Sequence, residues 1–302
     1  MAFGKPIFYS GTIVESLLYF GSELGLITLG ITVLMIAGEF DLSVGATFAF
    51  YAFILSWLFG KGISLYLVIP IVLILGALIG ALNGLITVKL KIPSFIVTLG
   101  TMMWWRGITY VASGGLQFLF RPEEEYPFLT SILAGKIELG GWGIPAAFIW
   151  FVAATIFLWF VVNYTAFGNR IYAVGDNPEA ARERGVRTNK VKLTCFIIVG
   201  LLVAFAAILQ TSRVRTAYAY TGEGYELQAI AAAVIGGTSL FGGVGTVTGT
   251  FLGMMFLRSL DTAILLYRAP AFWFKAFTGI AIIIGVALNY MIERRRIKWA
   301  IW

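Results

Sequence analysis

Two carboxylates, Glu39 and Asp41, sit in Gly38-Glu39-Phe40-Asp41-Leu42-Ser43-Val44-Gly45, between apolar stretches. Ionisable groups within a membrane are costly and face a cavity or a partner. A backbone break at that depth is tolerated where it lines protein or water. Glu39, Phe40, Asp41 and Ser43 are therefore candidate pathway or broken-helix residues. A second reading places Glu39 and Asp41 at a membrane–water boundary, with Asp41 or Ser43 capping the next helix.

The glycine-rich run Gly236-Gly237-Thr238-Ser239-Leu240-Phe241-Gly242-Gly243-Val244-Gly245 invites a nucleotide-binding reading. It lacks the Gly-Lys-Ser/Thr ending of a P-loop and forms no G-x-G-x-x-G, so a tight turn between two short helices fits better. Thr238 and Ser239 join the pathway or broken-helix candidates. Arg106 and Lys275 fall inside apolar runs; Arg106, the deeper, faces a polar seam or snorkels to an interface. There is no histidine, and the single cysteine, Cys195, excludes a disulfide within the chain. With no Ser/His/Asp set, no H-E-x-x-H and no paired carboxylates in a pocket-like context, no catalytic or metal residue is expected, and no cofactor in this chain.

The segment 164–192 is the most informative polar piece. In Asp176-Asn177-Pro178-Glu179-Ala180-Ala181-Arg182-Glu183-Arg184-Gly185, Asn177 suits a helix N-cap and Pro178 the first helical position. Glu179 complements the positive end of the dipole and Gly185 the stop. A short capped helix is expected, either a solvated connector or an element that docks a cytoplasmic partner.

The elements that must position these groups are membrane helices. Of 302 residues, 59% are hydrophobic and 12% charged, against about 25% charged in soluble domains; the mean hydropathy is +0.89. Runs such as 65–88, 144–162, 191–209 and 272–292 approach the ~20 apolar residues that span hydrocarbon. They lack the alternation of barrel strands, so the fold class is all-α integral membrane. Nine membrane-entering segments are expected, at about 17–37, 44–59, 64–88, 93–112, 144–163, 191–211, 226–237, 243–260 and 271–291, the seventh re-entrant or broken and paired with the eighth. The net charge of +7 sits in short loops between these runs, as topology determinants do, and not in a groove for nucleic acid.

Positive loops orient the set. Lys89 and Lys91, the arginines and lysines of 164–192, and Arg294, Arg295, Arg296 and Lys298 place those loops and the C-terminus in the cytoplasm, while the acidic loop 113–143 falls outside. That alternation puts the N-terminus outside, as if a preceding helix were absent. Gly76, Gly80 and Gly84 share one helix face, as do Gly245, Gly249 and Gly253, which reads as close helix packing. The chain 1–302 is read as a single polytopic permease-like domain.

Four blocks carry a family likeness: Asp41-Leu42-Ser43-Val44-Gly45, Lys91-Ile92-Pro93-Ser94-Phe95-Ile96-Val97-Thr98-Leu99-Gly100, the loop from Gly168 to Val186, and Gly224-Tyr225-Glu226-Leu227-Gln228-Ala229-Ile230-Ala231-Ala232 running into Gly236-Gly237-Thr238-Ser239. In order and spacing they resemble the permease subunits of ribose-type ABC importers, which move monosaccharides and related small polar solutes. The resemblance implies about ten helices per subunit, and a second permease copy or paralogue around one pathway. It also implies cytoplasmic ATPase subunits that hold ATP and magnesium, and a periplasmic solute-binding protein, in a bacterial inner membrane. Asp176, Asn177, Pro178, Glu179, Ala181, Arg182 and Gly185 then match the coupling helix. Gly38-Glu39-Phe40, Ala219 and Asp261-Thr262-Ala263 depart from the family pattern, and its first helix is missing. The rival is a self-powered secondary transporter, which needs ion-coupling groups near the midplane, with Glu39, Asp41, Asp261 and Arg106 the candidates.

Overall fold

The computed structural model describes residues 11–139, 142–267, 270 and 272–299. Twelve helices follow in order: α1 (Gly11–Ile36), α2 (Val44–Gly60), α3 (Leu65–Leu90), α4 (Ser94–Ser113), α5 (Pro127–Ala134), α6 (Ala146–Tyr164), α7 (Ala166–Asp176), α8 (Pro178–Glu183), α9 (Thr188–Val214), α10 (Tyr225–Ile235), α11 (Val247–Leu266) and α12 (Phe272–Trp299). Four of them are long and apolar enough to cross a membrane, over Ile13–Ile36, Leu65–Leu90, Ala146–Tyr164 and Thr188–Val214. Residues 1–10 and the side chains of Arg294, Arg295, Arg296 and Lys298 lie outside the described residues.

Helix α1 is the central post. From residue 21 to residue 37 every side chain is buried, and α6, α9, α10 and α11 pack around it. Helices α3 and α9 cross most intimately, and their sequences explain why. A Cβ on Gly76 would meet the Gly200 carbonyl oxygen at 2.5 Å, and one on Gly80 would overlap the Phe196 carbonyl. Lipid supplies no hydrophobic drive between helices, so van der Waals contact between bare backbones does the work. The glycines of α11 play the same part: Gly249 and Gly253 lie against Gly236 and Ala232 at the end of α10.

Proline and αL residues punctuate the helices. Pro93 precedes α4, Pro145 precedes α6 and Pro127 opens α5, where a missing N–H costs nothing. Lys91 ends α3 at φ 56 and Arg215 ends α9 at φ 62, a conformation that non-glycine residues seldom adopt.

The segment between α4 and α6 has more structure than an acidic loop suggested. It contains β1 (Phe118–Leu119), helix α5, and the hairpin of β2 (Lys136–Leu139) and β3 (Trp142–Pro145). Strand β1 pairs antiparallel with β4 (Thr216–Ala217), Phe118 opposite Ala217, so it is stitched to the exit of α9.

Candidate functional site

The turn between α1 and α2 is a buried polar node. Asp41, 3% exposed, accepts from the Ser43 amide at 2.8 Å, from the Ser43 hydroxyl, and from Asn83 Nδ2 of α3 at 3.2 Å. Asn83 Nδ2 also reaches Ser43 Oγ at 3.0 Å. Helix α4 holds the same turn from its other side. The Phe40 amide donates to Ser94 Oγ and the Leu42 amide to Thr98 Oγ1, each at 3.0 Å. Ser94 and Thr98 are one turn apart on α4, so a single face satisfies two backbone donors that left the α1 ladder.

Protein donors thus surround the Asp41 carboxylate. Ser43 does not cap α2, because its hydroxyl is turned back onto Asp41. Glu39 pairs with Lys192 in the first turns of α9, and both are mostly buried. Their ion pair borders a cavity of about 270 Å³ shared with Thr87, Lys91, Pro93 and Asn189. The Phe40 side chain is partly buried against the core.

A second irregular segment precedes α10. Helix α10 has 11 residues, roughly 16 Å at 1.5 Å per residue, about half of the hydrocarbon thickness. Its N-terminus is reached by the irregular chain 218–224. Arg106, midway along α4, donates to the Ala219 carbonyl at 2.6 Å and the Thr221 carbonyl at 2.9 Å. The Arg106 guanidinium thus satisfies backbone carbonyls that no helix satisfies. Gly222, at φ +76, abuts the Gly45 carbonyl in the first turn of α2, so the approach to α10 touches the start of α2. Beside them Glu223, Glu226, Gln228, Lys275 and Thr278 line a cavity of about 280 Å³ between α10 and α12.

The loop 164–192 folds as two helices. Asn177 caps α8 as expected, its Oδ1 accepting from the amides of Glu179 (3.1 Å) and Ala180 (3.0 Å). Pro178 takes the first position, and Gly185 ends the unit at φ +83. Ala181 is buried; Arg182 Nη2 reaches Thr188 Oγ1 at 3.3 Å. Helix α7, which residue patterns did not reveal, joins this unit to the membrane core. A Cβ on Gly175 would overlap the Ile36 carbonyl oxygen and lie 2.5 Å from the Gly243 amide. That amide itself donates to the Ile36 carbonyl at 2.9 Å. Gly38 and Gly242 close the same junction, and Asp176 rests on Gly243. Tyr172 donates its hydroxyl to the Gly245 carbonyl at 2.8 Å, and burial lifts that phenol above its ordinary range.

The residues 236–246 thus form the turn the sequence suggests, and its tip reaches α7. Thr238 and Ser239 are buried within it: the Thr238 amide donates to the Ala233 carbonyl and the Ser239 hydroxyl accepts from the Phe241 amide. The structure therefore gathers the candidates into two levels. Asp176, Glu39, Asp41, Ser43, Thr238 and Ser239 lie around the ends of α1 and α10, α8 is joined to them through α7, and Arg106 stands apart at the start of α10.

Sequence reasoning passed over Asn83, Ser94, Thr98 and Lys192, and also Glu23. Glu23 is buried on α1 and bound through both oxygens by Arg213, at 2.7 and 2.9 Å. A single asparagine or acid inside a long apolar run was the available signal.

Residues 13–286 match the family model described as branched-chain amino acid transport system / permease component. The chain belongs to this family of transport permeases. It is 36% identical to the xylose/arabinose import permease protein XylH of Sulfolobus acidocaldarius, over 98% of this chain and 82% of that one. It is 34% identical to the ribose import permease protein RbsC of Haemophilus influenzae, over 95% and 88%. It is 38% identical to the autoinducer 2 import system permease protein LsrC of Salmonella choleraesuis, over 86% and 73%. No solved structure matches the chain. The chain is accordingly a multi-pass importer permease subunit and not itself an enzyme, which sets aside the self-powered secondary transporter.

Proposed function

We propose that the chain is the pathway subunit of a binding-protein-dependent, ATP-driven importer of a monosaccharide or a related small polar solute. Named solutes of the similar permeases, ribose, xylose/arabinose and autoinducer 2, support that class over the amino acids in the family description. In this reading nine helices of one domain, 1–302, enter the bacterial inner membrane. Helix α10 is the broken member of its pair with α11, and the C-terminus lies in the cytoplasm. A second permease copy or paralogue faces the pathway, and cytoplasmic ATPases hold ATP and magnesium. A periplasmic protein delivers the solute.

One observation carries the mechanism: α7 is wedged by Gly175 between the end of α1 and the 236–246 turn. Residues 176–185 seat in the ATPase, with Glu179 and Arg182 exposed toward it. Movement of α8 drives α7 against both the α1–α2 turn and the end of α10. Rearrangement of those two interrupted elements alternates access. Glu223, Glu226, Gln228 and Thr278 offer the hydrogen bonds a hydroxylated solute exchanges for water on its way through.

The test is co-expression with the cognate ATPase and binding protein. Glu179→Lys, Arg182→Glu and Gly185→Val are expected to abolish ATPase co-purification and uptake of labelled ribose, xylose or arabinose into proteoliposomes. Full complex formation and uptake by all three variants would refute the coupling role.

A further inference from the structure

Where α6 ends and α9 begins, a cavity of about 480 Å³ opens at the surface. Phe167 and Arg170 of α7, Arg184 and Arg187 of the chain after α8, and Lys190 and Thr194 of α9 line it. Both α6 and α9 are long and apolar enough to cross a membrane, so the junction of their ends lies at the edge of the hydrocarbon whichever face that is.

The four cations are exposed, and none is among the ion pairs formed by described residues. Like charges gathered around one hollow repel each other unless an anion enters it. Helix α9 opens on this hollow with no acidic residue in its first turn and no side-chain cap, so its dipole adds to the positive field.

The hollow also has an apolar exit. Lys190, Thr194, Ile197 and Leu201 recur at helical spacing along one incompletely buried face of α9, and Leu201 is 37% exposed. On α6, the helix that runs into α7, Phe157 and Phe160 are 65% and 54% exposed. A ligand here meets cations at one end and a hydrocarbon-facing surface at the other.

We propose that this cavity binds the phosphate headgroup of an anionic phospholipid, its acyl chains lying along α9. Arg170 and Arg187 grip the phosphate oxygens as planar forks and Lys190 adds a point charge. A free phosphate would use the same cations and gain nothing from the apolar face. Because α7 and the chain after α8 supply most of the lining, an occupied site holds the loop 164–192 against the membrane surface.

The purified, delipidated chain is titrated in detergent with phosphatidylglycerol and with phosphatidylcholine of the same chains, read by native mass spectrometry. A preference of about tenfold for phosphatidylglycerol is expected, since each basic residue near a surface adds on the order of 1 kcal/mol toward anionic lipid. The variant Arg170→Gln/Arg187→Gln/Lys190→Gln should lose most of it. Neutralising Lys61, Lys89 and Arg121, which are exposed elsewhere, should leave it intact. Arg170→Lys/Arg187→Lys, which keeps the charge, should retain more than half, and all variants are compared at equal monodispersity on size exclusion. Equal loss in both neutralised sets would reduce the effect to net charge and overturn the site. So would the absence of any preference, or its abolition by millimolar inorganic phosphate, which would assign the hollow to a free anion.

Discussion

Glu23 is buried and held at both oxygens by Arg213, and removing Arg213 strands the carboxyl group away from water. Breaking such a pair costs about 3–5 kcal/mol, whereas an apolar replacement of both is close to neutral. Arg213→Met is therefore expected to lower the thermal unfolding midpoint in detergent strongly, and Glu23→Leu combined with it to recover most of the loss. Asp41 depends on neutral donors instead. Asn83→Leu deprives both Asp41 and Ser43 of a partner, and should cost about 1–3 kcal/mol in the same assay. Glu39 and Lys192 bind the α1–α2 turn to α9 across a small cavity. Glu39→Lys should slow uptake in proteoliposomes, and Glu39→Lys/Lys192→Glu should restore it if the attraction itself matters.

At the scale of elements, the closest crossings are written in glycine. Gly80→Leu would drive a side chain into the Phe196 backbone; overpacking of this sort typically costs about 1–3 kcal/mol, and more where backbone must move. Separation of α3 from α9 should show as loss of monodisperse protein on size exclusion, while Gly60→Leu, with open space around it, should have no effect. The glycine spacing of α3 was legible in the sequence, as were the long apolar runs and the Asn177 cap, because period and cap chemistry are local. Helix α7 was not, since a loop rich in arginine reads as solvated until its buried Ile171, Val174 and Gly175 are seen against α1 and the 236–246 turn. Nor was the α4 clasp. Ser94 and Thr98 look like ordinary helix residues, and their partners lie 54 and 56 positions away. The shortness of the 226–237 segment was readable in the sequence. The irregular approach 218–224 and its two bonds from Arg106 depend on a fold that brings α4 beside it.

For the whole molecule, polar structure collects at two ends. The hairpin β2–β3, helix α5 and the β1–β4 pair cap one end. The α1–α2 turn, α7, α8 and the 236–246 turn share the other. Gly175→Ala tests how these parts work together, since even one methyl group overlaps the Ile36 carbonyl. The expected outcome is ATPase stimulation retained and solute uptake cut to background in reconstituted importer; unchanged uptake would show that α7 is not the link. The crossing of bare backbones at Gly38, Gly175 and Gly242 has a further mechanical meaning. A lever bearing on two loads through a hinge without slack cannot lift one and leave the other. In the proposed transport cycle the turn after α1 and the tip beyond α10 would therefore shift in a single stroke, leaving no stable resting place for half-open arrangements through which an uncommitted solute could leak.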